Sequence, residues 1–435
     1  MSRYKPYPIY KNSGSQWIRV VPEQWEVKRL GFFFEERRDK VSDTEFLPLS
    51  VTMGGIVPQI AGVAKTEDNE NRKKVCVGDF VINSRSDRKG SSGLSELDGS
   101  VSVINTVLRP SSLVDGRFIH HLFRSTAFQE EYYRYGNGLV ADLWTTHYSD
   151  MRNIVLGIPP LSEQTAIAAA LDRETARIDA LIEKKTRFVE LLKEKRQALI
   201  THAVTKGLDP NVKMKDSGVE WIGQIPEHWE LRRLRHVATY TNSNVDKKSY
   251  DGQKPVKLCN YTDVYYHEFI TSSISFMDAT ASESEIAAFS LRKGDVLITK
   301  DSEDPSDIGI PALVSEDLPG VICGYHLTII RTHDSDDSVF LHRSIQSHPT
   351  KAHFFVESPG ITRYGLNQDA IGDIIVCFPP EEERVGIASW INREVTRIDA
   401  LINRTERSIA LLKERRAALI TAAVTGQIDL REEVA

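Results

Sequence analysis

DRETARIDALIEKKTRFVELLKEKRQALITHAVTKGLD at residues 172–209 and NREVTRIDALINRTERSIALLKERRAALITAAVTGQID at residues 392–429 are one segment written twice. At an offset of 220, 22 of the 38 positions are identical, so the chain carries an internal duplication. Ile178, Leu181, Ile182, Val189, Leu192, Leu199 and Ala203 fall at steps of three and four, as do Ile398, Leu401, Ile402, Ile409, Leu412, Leu419 and Ala423. That spacing gives each copy one apolar stripe on a charged helix, predicted over 162–205 and 382–425. Pro159-Pro160 and Pro379-Pro380 end the preceding strands, and Ser162 is the expected cap of the first helix. Glu163 in one copy and Glu381–Glu383 in the other suit the N-terminal dipole, with Gly207 and Gly426 as C-terminal stops. Neither stripe can be buried alone. The two helices are therefore expected to pack on each other as a coiled coil.

Working outward, SGSQWIRVVPEQWEVKRL at 13–30 matches SGVEWIGQIPEHWELRRL at 217–234 at an offset of 204. The second copy thus carries 16 more residues between its matched ends. A duplication of this size is not a solenoid, whose periods are about 20–50 residues in three or more copies. Between the matched ends the residues diverge but the order of elements repeats. FLPLSV at 46–51 answers KLCNYTDV at 257–264, and VGDFVINS at 77–84 answers KGDVLITK at 293–300, with Gly78-Asp79 and Gly294-Asp295 as matching turns. SVSVINTVLRP at 100–110 answers VICGYHLTIIRT at 321–332, a helical stretch at 117–133 answers 339–355, and RNIVLGIPP at 152–160 answers GDIIVCFPP at 372–380. Each unit is an α+β head followed by a long helix. The predicted fold is α+β: two globular heads (1–160 and 210–380) joined by two helical segments (161–209 and 381–435) in an antiparallel coiled coil with pseudo-twofold symmetry. Connectivity sets the direction, because head 2 follows the end of the first helix and precedes the start of the second. At ~1.5 Å per residue such a pair would span about 60–65 Å. Trp17, Trp25, Trp221 and Trp229 recur in the shared scaffold and are expected to pack the leading strand against the helix ends.

Composition limits the function classes. The 435 residues carry a net charge of -6, and 27% are charged. Residues 236–378 hold 11 Lys+Arg against 20 Asp+Glu, and 30–158 hold 15 against 17. A nucleic-acid reader of this charge must concentrate its basic contacts on one face or draw phosphate affinity from partners. Cys76, Cys259, Cys323 and Cys377 are far apart and form no metal-ligand spacing, which fits free thiols in a reducing cytoplasm. The start of the chain lacks the apolar region of a signal peptide. No apolar run reaches the ~18–20 residues needed to span a bilayer.

Two unlike heads on one repeated scaffold imply two ligands, or two parts of one ligand, at a set separation. DNA fits, since its backbone has local twofold symmetry and its sequence need not. IPPLSEQTAIAAAL at 158–171, RIDALI at 177–182 and 397–402, ALIT followed by AVT at 198–205 and 418–425, and the GVEWIGQIPEHWE linker together resemble the specificity subunit of Type I restriction-modification systems over essentially the whole chain. FPPEEERVGIASWI at 378–391 departs from the first motif by lacking the glutamine that Gln164 supplies. The resemblance implies a non-catalytic subunit whose heads are target recognition domains, each reading half of a bipartite site in double-stranded DNA. It implies helices that set the spacer and dock two methyltransferase subunits, which would methylate adenine N6. Restriction/translocase subunits would join them. No cofactor is expected on this chain; S-adenosylmethionine, ATP and Mg are expected on the partners. The sequence holds no P-loop for nucleotide phosphates and no Asn-Pro-Pro-aromatic tetrapeptide of an amino-methyltransferase. A specificity or scaffold subunit of another DNA-defence complex is the alternative with the same features.

Base-reading side chains are expected in loops after strands, with Arg and Lys for guanine and phosphate and Asn or Gln for adenine. Arg85, Arg88 and Lys89 follow VGDFVINS, and Lys300 is the corresponding position after KGDVLITK. Trp144 and His147 precede the last strand of head 1, as Arg363, Tyr364 and Asn367 do in head 2. Lys184, Lys185, Lys193, Lys195 and Arg196 form a basic helix face suited to partner docking or phosphate contact. No metal or catalytic residue is predicted.

Overall fold

The computed structural model describes residues 4–60, 70–138 and 144–431. The chain packs as two compact units, residues 1–186 with 406–435, and residues 187–405. The two long helices run Leu161–Lys206 and Glu381–Val424, each lending its first part to one unit and its second part to the other.

In the first unit a four-stranded sheet, in the order 92–94, 80–83, 105–110, 34–36, lies beside a three-stranded one of 99–101, 72–75 and 40–41. Two helices, Gly116–Arg124 and Thr126–Arg134, close one face through Phe118, Phe123, Phe128 and Tyr132. The second unit repeats the plan with a five-stranded sheet and a three-stranded one. Its strand Lys254–Cys259 pairs in parallel with Val321–Cys323, and the same pairing survives in the first unit as a single bridge between Pro48 and Ser100. The turns at Gly78 and Gly294 are alike, with φ of 89° and 93°, a left-handed conformation that glycine adopts without steric cost. The following aspartates are buried. Asp79 accepts the Cys76 N–H and pairs with Arg37 at 2.7 Å, while Asp295 accepts the Arg292 N–H and pairs with Arg331 at 2.9 Å.

Several local expectations need correction. The strand at 257–264 stops at Cys259, and Tyr261–Tyr266 is helical, started by Asp263 accepting the Asn260 N–H. The strand expected at 46–51 runs instead over Leu49–Thr52. Residues 100–110 and 321–332 are each two strands in different sheets, broken at 102–104 and 324–326. Each predicted helical stretch is likewise two helices. The first breaks at Ser125, whose hydroxyl accepts the Phe128 N–H; the second breaks before Pro349. Ser162 lies inside the first turn of its helix, because the Pro160 carbonyl already receives the Glu163 and Gln164 N–H groups.

The helix ends are fixed by tryptophans. Trp25 is fully buried and its indole N–H donates to Glu163 at 2.8 Å, while its ring lies against the backbone at Gly426. In the second unit Trp229 donates to Glu383 at 2.8 Å and lies against Gly207. The start of one long helix and the end of the other therefore meet at one indole. With Arg416 2.8 Å from Asp179 in the first unit and Arg196 3.0 Å from Asp399 in the second, each unit holds an antiparallel helix pair. These ion pairs are the same contact in the two copies, at the 220-residue offset. The expectation for the other tryptophans is met only in part. Trp17 donates to the Val155 carbonyl at 2.9 Å, but Trp221 is 50% exposed. Leu181 and Leu401 also stand off the helix seam, 43% and 45% exposed.

The missing glutamine has a structural answer. Gln164 donates to the Pro159 and Leu113 carbonyls and accepts the Asp115 N–H at 2.7 Å. Arg384 donates to the Pro379 carbonyl at 2.7 Å and binds Asp337. Different chemistry ties the helix start to the same loop.

Trp25→Phe removes the indole donor and part of the ring, and should cost about 1–3 kcal/mol, chiefly by leaving a buried carboxylate less satisfied. Trp25→Ala should cost about 3–5 kcal/mol through the cavity it opens. Chemical denaturation of the full chain checks both values and their order.

Candidate nucleic-acid interface

Strand Phe80–Asn83 delivers Ser84 and Arg85 to the sheet edge, where residues 144–147 run back alongside. Thr146 N–H donates to the Ser84 carbonyl and Ser86 N–H to the Trp144 carbonyl, both at 2.9 Å, and Arg85 is bridged to Thr145. His147 then occupies the cap position of helix Tyr148–Met151. In the second unit strand Val296–Thr299 delivers Lys300 and Asp301. Leu366 N–H donates to the Lys300 carbonyl at 2.8 Å, and 301–302 pairs with 364–365. Asn367 caps helix Gln368–Gly372, accepting the Ala370 N–H at 2.7 Å. The two loops singled out in each head are thus hydrogen-bonded to each other.

This geometry shifts one assignment. The backbone partner of Ser84 is Ile104 and that of Lys300 is His326. Lys300 therefore corresponds to Ser84, and the counterpart of Arg85 is Asp301. Trp144 matches Tyr364, and His147 matches Asn367.

A cleft opens at this equivalent place in each head. In the first unit it measures 630 Å³, with Glu36, Arg38, Lys73, Arg85, Ile104 and His147 among its walls. In the second it measures 460 Å³, and its walls include Lys247, Tyr261, Tyr265, Asp301, His326 and Arg363. The remaining expected contacts lie near but off these walls. Arg88 is exposed, 3.9 Å from Asp87, and Lys89 reaches Glu130 at 2.6 Å over the Tyr133 ring. Trp144 lines a neighbouring groove with Trp17 and Arg134. Lys300 is turned inward, 2.7 Å from Asp301 and over the Tyr325 ring. Asp301, His326 and the tyrosine wall were not singled out by sequence, because strand-end pairing alone brings them together.

On the helices, Lys184, Lys193 and Lys195 are exposed and Lys185 is half-buried. Arg196 is different. It binds Asp399 and Glu268, and Glu268 also binds Arg343, which reaches Asn392 at 2.7 Å. Arg196 thus clamps head 2 to both helices instead of forming an open docking face. Burial pushes the Glu268 carboxyl up, but Arg343 and Arg196 outweigh it and hold the group below its ordinary value. Among the described residues no group of three or more His, Cys, Asp or Glu side chains can hold a metal ion. No helix among them is long and apolar enough to cross a membrane.

The chain is 23% identical over 366 residues to the Type I restriction enzyme EcoKI specificity subunit of Escherichia coli, covering 82% of this chain and 76% of that one. It is 22% identical over 427 residues to the MjaVIII specificity subunit of Methanocaldococcus jannaschii, covering 94% of each. Over most of its length the chain is similar in sequence to Type I specificity subunits. Its fold agrees with a subunit in a solved type I R-M system assembly, at a TM-score of 0.73, 16% identity and coverage of 94% and 99%. It also agrees with the HsdS subunit of Thermoanaerobacter tengcongensis, at 0.53, 17% identity and coverage of 94% and 98%. No protein-family model matches the sequence.

Because the folded Glu268 carboxyl titrates below its unfolded value of about 4.3, its contribution is complete above that pH and lost as pH falls through the lower folded value. Glu268→Gln should flatten the acid limb of the stability profile. At neutral pH it should cost roughly 3 kcal/mol by leaving the buried Arg343 unpaired. Urea denaturation from pH 3 to 7 measures both.

Proposed function

We propose that this chain is the sequence-specific DNA-binding subunit of a Type I restriction-modification complex. Each head reads one half of a bipartite, non-palindromic site, and the helices dock two methyltransferase subunits. One observation carries the reading: a single scaffold, repeated down to its tryptophan, aspartate and arginine contacts, presents equivalent clefts with unlike walls. Identical walls would serve a palindrome; unlike walls serve a split site with two different halves.

Two docking sites are supported by the exposed leucines. Leu181 and Leu401, and Leu191 and Leu411, are repeat-related pairs, between 43% and 64% exposed on charged helices. Lys184, Lys193 and Lys195 lie nearby in sequence on the first helix, and Arg404, Lys413 and Arg415 at the repeat-related positions of the second, so each helix has a mixed apolar and basic surface. S-adenosylmethionine, ATP and Mg belong, in this reading, to the methyltransferase and restriction/translocase partners, so this chain supplies specificity and spacing without catalysis. Its negative charge makes those partners the main source of phosphate affinity.

The deciding experiment is methylome sequencing of cells that co-express this chain with a methyltransferase subunit from the same source. N6-methyladenine confined to one split motif is expected, and exchange of either head should change one half-site only. Methylation without a motif, from an intact complex, rejects the reading. Salt dependence offers a second check: the assembled complex should lose affinity with salt far more steeply than the chain alone.

A further inference from the structure

The two clefts occupy the same place in their heads, yet their chemistry is exchanged. Where the first head has Arg85 and Ile104, the second has Asp301 and His326. His326 has a φ of 74°, in the left-handed region that a non-glycine residue adopts at a cost. Its place in the first head is taken by Ile104, which does not share that conformation. The bend turns the imidazole towards Asp301, with Nδ1 2.6 Å from the carboxylate. Asp301 also receives Lys300 at 2.7 Å, so the carboxylate is fixed from two sides. Burial raises its pKa, but these two hydrogen bonds prevail and keep it ionised.

An ionised carboxylate at Nδ1 demands a proton there. In the neutral imidazole that leaves Nε2 as an acceptor. The same cleft is lined by two aromatic rings: Tyr261 and Tyr265 stack with centroids 5.6 Å apart, and the Tyr265 hydroxyl donates to Asp307 at 2.5 Å. Lys247 and Arg363 supply positive charge at the same cleft. In its neutral form the imidazole is a held acceptor, with two stacked aromatic rings and two cations in the same cleft. The first head offers instead the donor fork of Arg85.

We infer that the Asp301–His326 pair is the specificity-determining element of the second head, and that it selects an exocyclic amino group, adenine N6 or cytosine N4, on the major-groove edge of its half-site. This rests on the proposed DNA-reading function and adds which base chemistry one cleft accepts. Amino groups are the donors on that edge, whereas guanine presents two acceptors, which suit Arg85.

Glycine separates a reading role from a structural one, because at a φ of 74° it removes the imidazole and relieves the backbone together. The full chain, with its methyltransferase subunit, is used to select duplexes from a random double-stranded library. The wild type should show about tenfold or greater preference for adenine or cytosine at one position of the second half-site. In His326→Gly and Asp301→Ala that preference should fall below about threefold, with the other half-site unchanged. His326→Gly should shift the melting temperature by no more than about 3 °C. Arg85→Ala should relax a position in the opposite half-site. An unchanged motif in His326→Gly overturns the assignment, as does loss of both half-sites together with a large fall in melting temperature. A wild type that selects no motif overturns the DNA-reading function itself.

Discussion

In each unit an indole N–H is donated to a glutamate in the first turn of one long helix while the same ring lies against the glycine that ends the other. The rest of each unit follows from that contact. A helix with a single apolar stripe cannot stay folded in isolation, and most of its stability comes from packing that stripe. Trp25 and Trp229 fix where the partner helix begins and ends, so that Ile178 can meet Leu419 in one core and Ile200 can join Ile391 in the other. Asp179–Arg416 and Asp399–Arg196 then hold the register with charge.

The heads are tied to this scaffold by contacts whose geometry is kept while their chemistry drifts. Gln164 and Arg384 both reach back to a proline carbonyl and forward to the loop before the paired helices. His121 meets Asp172 at 2.7 Å where Arg343 meets Asn392. A hydrogen-bonding position tolerates exchange of donor type so long as the buried acceptor stays satisfied. Such tolerance lets two copies diverge without losing the frame. It is also what a two-part reader requires, since the frame must match while the clefts must not.

Much of the candidate site was legible in outline. The sequence paired the loops after VGDFVINS and KGDVLITK, and separately paired 144–147 with 363–367; the structure hydrogen-bonds the two sets to each other within each head. Individual side chains were another matter. Lys300 looks like a free cation in sequence but is spent on Asp301, and Arg196 looks like part of a basic face but is locked to Asp399 and Glu268. A pairing offset of one residue decides which side chain faces a cleft, and linear sequence carries no record of it.

By itself the sequence determined the duplication, the two long helices, their antiparallel sense and the order of elements in each head. All of these follow from periodicity, breakers and chain connectivity, which are local or topological. Tertiary structure alone decided that Arg85 answers Asp301 and that Ile104 answers His326 among the residues lining each cleft. It also decided that an arginine can take the place of a glutamine at a helix start. Those outcomes depend on strand register and on contacts between residues dozens of positions apart, where packing, not local propensity, selects the partner.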